Sequence, residues 1–199
     1  LAERSNRASI ATYGKTHEHR KLVMLTVSNP GNLQNLPALK QQHLNFVDPN
    51  NTATNYNEIP IFVNLGYNVH GNEPSSSEAA MLVAYTLVAS NSPEVQNYID
   101  NAIVFIDPTI NPDGRDRHTQ WANQYKGNPL VSDNLDAEHN EGWPRGRTNH
   151  YWFDLNRDWL LAVNPESRGK LAWYHEWYPN VVTDFHEMGT NSSYFFEPM

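Results

Sequence analysis

Four apolar, β-branched runs punctuate the chain, each bounded by Pro, Gly or Asn: KLVMLTVSN (21–29), IPIFVNLG (59–66), AIVFIDPTI (102–110) and NVVTDFHEM (180–188). Runs of this length and composition predict buried β-strands. Between the first two, NLQNLPALKQQHLNF (32–46) reads as a short helix plus a connection, and DPNNTATN (48–55) as an exposed loop. From Glu73 to Ser90 the spacing changes. Ala79, Ala80, Leu82, Val83, Leu87 and Val88 make an apolar face, and Pro74 stands where a first helical turn tolerates it, so a helix is predicted. PESRGKLAWYHEWY (165–178) predicts a second amphipathic helix. Strands alternating with helices imply one α/β domain built on a largely parallel sheet, in which ligands bind beyond the carboxyl ends of the strands. His70, Asn111 and His186 fall at such ends. The stretch 113–151 is rich in Gly, Pro, Asn and charge but has little periodicity, so it reads as a long functional loop.

Composition narrows the function. The chain has 199 residues, 39% hydrophobic and 18% charged, which suits a folded domain with a real core. A net charge of -8 gives no footprint for nucleic acid or an anionic membrane. With no cysteine, disulfides, thiolate nucleophiles and Cys-ligated zinc are all excluded. No apolar run approaches the ~18 residues of a membrane-spanning helix.

The string HGNE (70–73) joins a predicted strand to a predicted helix, and His70 and Glu73 can each bind a metal or handle a proton. Catalytic zinc sites use three ligands from His, Asp and Glu and leave a position for water. The third would come from another strand end, and His186 in TDFHEMG is the best placed. A plainer reading stands beside this one, because Glu73 would also suit a helix start as a first-turn carboxylate. The remaining histidines, His17, His19, His43, His118, His139, His150 and His175, have no comparable context.

Taken in order, HGNE, NPDG (111–114), DLNRD (154–158) and DFH (184–186) resemble the zinc carboxypeptidase family typified by the pancreatic enzymes, over about Tyr13 to Met199. The resemblance implies a three-layer α/β/α sandwich around a mixed, largely parallel sheet, here incomplete at its C-terminal side. It implies one Zn2+ per chain, held by His70, Glu73 and His186. Asp154 then matches the acid that orients the first histidine ligand, and Asn156 and Arg157 match the pair that grips a substrate's terminal carboxylate. Arg suits that role because its planar fork binds a carboxylate bidentately. An oxyanion-stabilising arginine is also implied. Of Arg115, Arg117, Arg145 and Arg147 in the long loop, Arg147 is favoured for its closeness to DLNRD, with Arg117 second. Asn111 to Gly114 are expected to shape the site, since Pro, Asp and Gly are turn formers.

The implied activity is hydrolysis of C-terminal peptide bonds, with a peptide bearing a free C-terminal carboxylate as partner. A deacylase of N-acyl amino acids and a non-catalytic zinc-binding remnant are the alternatives. The family's general base is a Glu on a later strand, and this chain ends at Met199, so a truncated catalytic domain is expected. Glu187 should face away from the metal if its strand continues regularly, and Glu197 is the only later acid. The His-Glu-Met form resembles an exported bacterial branch, which implies a secreted or periplasmic protein.

Overall fold

A computed structural model describes residues 1–51, 55, 59–189 and 192–193, so Glu197 and part of the 48–55 loop lie outside the described residues. Strands β1 (Ala8–Lys15), β2 (Lys21–Val27), β3 (Ile61–Tyr67), β4 (Ala102–Asp107) and β5 (Val181–Phe185) form one sheet in the order β1-β2-β4-β3-β5. β1, β2 and β4 pair antiparallel in turn, whereas β4, β3 and β5 run parallel, so the parallel half carries the strand ends of interest. Helices are α1 (Pro30–Gln34), α2 (Leu36–Val47), α3 (Pro74–Ala89), α4 (Pro93–Asn101), α5 (Pro112–Tyr125) and α6 (Pro165–Trp177).

Alternation along the buried β4 divides the core. Val104 and Ile106 pack with Ala80, Ala84, Val88 and Ile99 of α3 and α4. Ile103 and Phe105 pack on the opposite face with Leu39 of α2 and Trp173 of α6. Period-2 strands with apolar residues on both faces require helices on both sides, which gives the three layers.

Where a short helix plus a connection is expected over 32–46, two consecutive helices, α1 and α2, fill the stretch. Three further elements lie outside the expected set. β1 is an edge strand whose residues are mostly exposed, so it has no hydrophobic run; its ladder to β2 holds it. α4 opens with Ser92 accepting from the Val95 N–H at 3.3 Å, a Ser-Pro-Glu start that is itself a helix-start signal in the sequence. α5 lies largely inside the stretch expected to be a long loop. It buries only Asp113 and Gly114, so it lacks the apolar stripe by which helices are read. Its anchor is polar: Asp113 Oδ1 accepts from Thr16 Oγ1 and Arg20 Nη1, both at 2.8 Å.

Beneath the parallel strand ends lies a buried charge. Gly66 of β3 sits in register between Asp107 of β4 and Asp184 of β5. The Lys170 ammonium, from α6, occupies the space above Gly66, where an added Cβ would stand 3.2 Å from it. Burial pushes the Asp107 carboxyl up to about 6, against the pull of Lys170 and of the Tyr13 hydroxyl that donates to it at 2.7 Å. The folded chain therefore keeps a proton that the unfolded chain gives up near pH 4. The resulting stabilisation, on the order of 3 kcal/mol, is complete below about pH 4 and lost as pH rises through about 6. Urea unfolding from pH 4 to 7 should thus show Asp107→Asn gaining on wild type across that window. Parallel pH curves for the two would show that Asp107 does not titrate there.

Candidate metal centre

β3 ends at Tyr67, and the chain turns at once. Asn68, fully buried, takes a left-handed φ of 58°, a conformation Asn tolerates better than most residues. Its amide nitrogen donates to the carbonyls of His70 at 2.8 Å and Glu73 at 2.9 Å, closing the HGNE turn over itself. Sequence reading passed over Asn68; an Asn directly after an apolar strand was the available signal. The turn brings His70 Nδ1 within 2.9 Å of Glu73 Oε1. β5 ends one residue before His186, whose Nδ1 lies 3.2 Å from His70 Nδ1 and 3.2 Å from Glu73 Oε2. The three predicted ligands thus converge from two strand ends and a helix start, their donor atoms all within 4.8 Å of one another.

Zinc at ~2.0–2.1 Å from its N and O ligands places tetrahedral donors about 3.3 Å apart. The Nδ1–Nδ1 separation of 3.2 Å matches this, and each ring lies 2.9 or 3.2 Å from one of the two Glu73 oxygens, so the carboxylate borders the same space. Two imidazoles with one carboxylate also make a donor set that suits zinc.

The second nitrogen of each ring has a carboxylate partner. His70 Nε2 lies 3.1 Å from Asp154 Oδ1, and His186 Nε2 lies 3.0 Å from Asp184 Oδ2. Such partners fix the tautomer that presents Nδ1 to a metal. Asp184, absent from the predicted site, is the next-to-last residue of β5, two before His186. Asp154 also accepts Nε and Nη2 of Arg147 on its other oxygen, at 3.1 and 2.9 Å. Burial alone would raise Asp154, but the neighbouring His70 and Arg147 hold its carboxyl below the ordinary range. Glu73 behaves alike: hydrogen bonds from His70 and the Glu187 N–H outweigh its burial and lower it. Both acids are set to remain anionic.

Asp154 caps a 3-10 turn at Leu155–Arg157 by accepting the Asn156 N–H at 2.9 Å. Trp159 Nε1 donates to Asn156 Oδ1 at 3.2 Å, which turns the amide nitrogen toward His186 Nε2, 3.5 Å away. Arg157 is exposed, with Nη1 donating to the Asn156 carbonyl at 3.0 Å. The two candidate arginines separate. Arg147 Nη1 reaches within 3.9 Å of Glu73 Oε1. Arg117 donates instead to the carbonyls of Arg145, Thr148 and Asn149, at 2.8 to 3.2 Å, and so staples the loop.

The NPDG string shapes the site by close approach. Asn111 caps α5, accepting the Gly114 N–H at 2.9 Å, and donates to the Arg147 carbonyl at 3.2 Å. A Cβ on Gly71 would stand 2.2 Å from Gly114 C and 2.5 Å from Gly146 O. Backbones of three distant segments therefore touch directly behind His70.

The sequence model of the family described as "Zinc carboxypeptidase" matches residues 1–196. The chain belongs to the zinc carboxypeptidase family. Solved structures of similar fold include a metallo-carboxypeptidase from Burkholderia cenocepacia, with TM-score 0.60 and 18% identity over 93% of this chain and 38% of that one. Carboxypeptidase A from Helicoverpa armigera has TM-score 0.54 and 20% identity over 93% and 42%. A metallo-carboxypeptidase from Pseudomonas aeruginosa, in complex with (2-guanidinoethylmercapto)succinic acid, has TM-score 0.56 and 16% identity over 93% and 36%. At these identities the likeness is one of fold, and this zinc carboxypeptidase chain spans less than half the length of each. No curated protein matches it. No helix among the described residues is long and apolar enough to cross a membrane.

Proposed function

We propose that this chain forms the zinc-binding part of an exopeptidase that hydrolyses C-terminal peptide bonds, with one Zn2+ held by His70, Glu73 and His186. The observation that carries the reading is the meeting of the two Nδ1 atoms and the Glu73 carboxylate, each ring backed by its own acid. Bound zinc would supply polarisation of the scissile carbonyl and a water acidic enough to attack at neutral pH.

The chain's own residues supply binding and charge. His186, with its side chain one-third exposed, leaves the cluster open on one side, where a substrate carbonyl can enter. Arg147, held on Asp154 and 3.9 Å from Glu73, would stabilise a developing oxyanion. Arg157, its guanidinium turned to solvent, with Asn156 beside it, would receive the terminal carboxylate of the peptide. Glu187 is given no proton-transfer role, because its carboxylate accepts the Ser75 N–H.

The test is hydrolysis by the full-length protein of a blocked dipeptide, its C-terminal amide and an N-acyl amino acid, with and without chelator. Chelator-sensitive cleavage of the free-carboxylate peptide alone is expected. Preference for the N-acyl amino acid would favour a deacylase, and zinc binding without turnover a non-catalytic role. In the same assay Arg157→Lys should raise KM for the free-carboxylate peptide roughly 10- to 100-fold, the worth of a charged hydrogen bond of about 1.5–3 kcal/mol. An unchanged KM would remove Arg157 from carboxylate binding.

A further inference from the structure

Glu73 is the N-cap residue of α3, yet its side chain makes no capping bond, because its carboxylate is turned toward His70 and His186. The first turn of the helix therefore lacks its own acceptor, and Pro74 has no N–H to satisfy. The acceptor comes from another segment: Glu187 Oε1 takes the Ser75 N–H. In the opposite direction, the Glu187 N–H donates to Glu73 Oε2 at 3.0 Å. One residue thus makes two reciprocal bonds across the gap between β5 and α3. Regular alternation would aim Glu187 away from the cluster, but β5 stops at Phe185 and the chain beyond it is free to turn over the helix start.

The physical advantage is specific to this place. A carboxylate at a helix N-terminus meets unpaired N–H donors and the positive end of the dipole, and a charge-assisted bond there is among the stronger ones. His186 and Glu73 are 113 residues apart in sequence, so nothing local fixes their separation. The residue following His186 does so by gripping the residue that opens α3.

We infer that Glu187 is a positioning residue of the metal centre: by capping α3 in trans it holds its own N–H on Glu73 Oε2, setting the Glu73 carboxylate against the two imidazoles. This rests on the zinc reading above, and the test separates the two. Zinc affinity is measured by chelator competition for wild type, Glu187→Ala and Glu187→Gln, and amide hydrogen exchange is followed at Ser75. Failure of wild type to bind zinc would sink the metal reading itself. Given binding, Glu187→Ala should weaken zinc about 10- to 100-fold, the effect typical of groups that orient ligands. The Ser75 amide should then exchange faster. Glu187→Gln, whose amide oxygen can still accept from Ser75, should keep that amide protected and restore affinity to within about fivefold of wild type. A general effect of lost negative charge would make Gln as weak as Ala. That result, or wild-type affinity in Glu187→Ala, would overturn the inference.

Discussion

Replacing His186 by Ala is expected to weaken zinc binding about 10²- to 10³-fold, since one ligand's share of the ~10–16 kcal/mol available to a four-ligand zinc site is roughly 3–4 kcal/mol. His186 is the ligand that only tertiary structure brings to the cluster, and its loss leaves His70 and Glu73 as a bare pair on one turn. Competition against a chromogenic chelator measures the effect directly. His175→Ala is the control, because that ring contacts the Tyr178 hydroxyl at 3.3 Å and lies outside the cluster. A loss smaller than about threefold in His186→Ala, or an equal loss in both variants, would mean that zinc binds elsewhere.

The second large effect falls on a residue without chemistry. Gly71→Ala would place a methyl group 2.2 Å from the Arg115 backbone nitrogen and 2.2 Å from Gly114 C. These are backbone atoms at the start of α5, and they cannot rotate aside as a side chain would. The segment must separate from the HGNE turn, at a cost at or beyond the ~3 kcal/mol upper end of overpacking. Because His70 immediately precedes Gly71, zinc affinity should fall together with stability. Denaturant midpoints with and without zinc test this. A wild-type midpoint in Gly71→Ala would show that the three backbones part easily.

The sheet's parallel half was legible because β3, β4 and β5 are apolar runs with clear ends. α3 and α6 form where helices are expected, but their buried faces differ: α3 turns Ala79 and Leu82 of its expected face to solvent and buries Ser76, Ser77 and Ala84 beside Ala80 and Val88, and α6 buries Glu166, Ser167 and Lys170 with Trp173. β1, α4 and α5 were not legible. Each is polar or short and is held by ladder bonds, a cap or a buried acid, none of which leaves a hydrophobic period. At the site, His70 and Glu73 could be paired from their spacing alone, because a turn of that length brings neighbours together. Arg147 and Arg117 could not be told apart. Arg117 lies on α5, a helix without an apolar stripe, and Arg147 in the later segment whose path is set by Glu141, which accepts from Asn72 and Gly146 at 2.8 Å each, and by the carbonyls that bond Arg117. Neither Asp184 nor Glu187 follows from strand alternation, because β5 ends at Phe185 and the chain turns beyond it, bringing His186 back onto Asp184 and Glu187 onto the start of α3.

The amino-acid sequence by itself determined which residue types could bind a metal, which of them sit at strand ends, and that the chain alternates strand with helix, since local spacing and residue chemistry suffice for each. The tertiary structure decided that His186 closes on a pair of ligands 113 residues earlier, that Asp154 and Asp184 each back one ring, and that three glycines let the loops touch. The placing of His186 and Asp184 depends on parallel pairing of β5 with β3, and that of Asp154 and the glycines on loop contacts around His70; each is a contact between distant segments that no local pattern encodes.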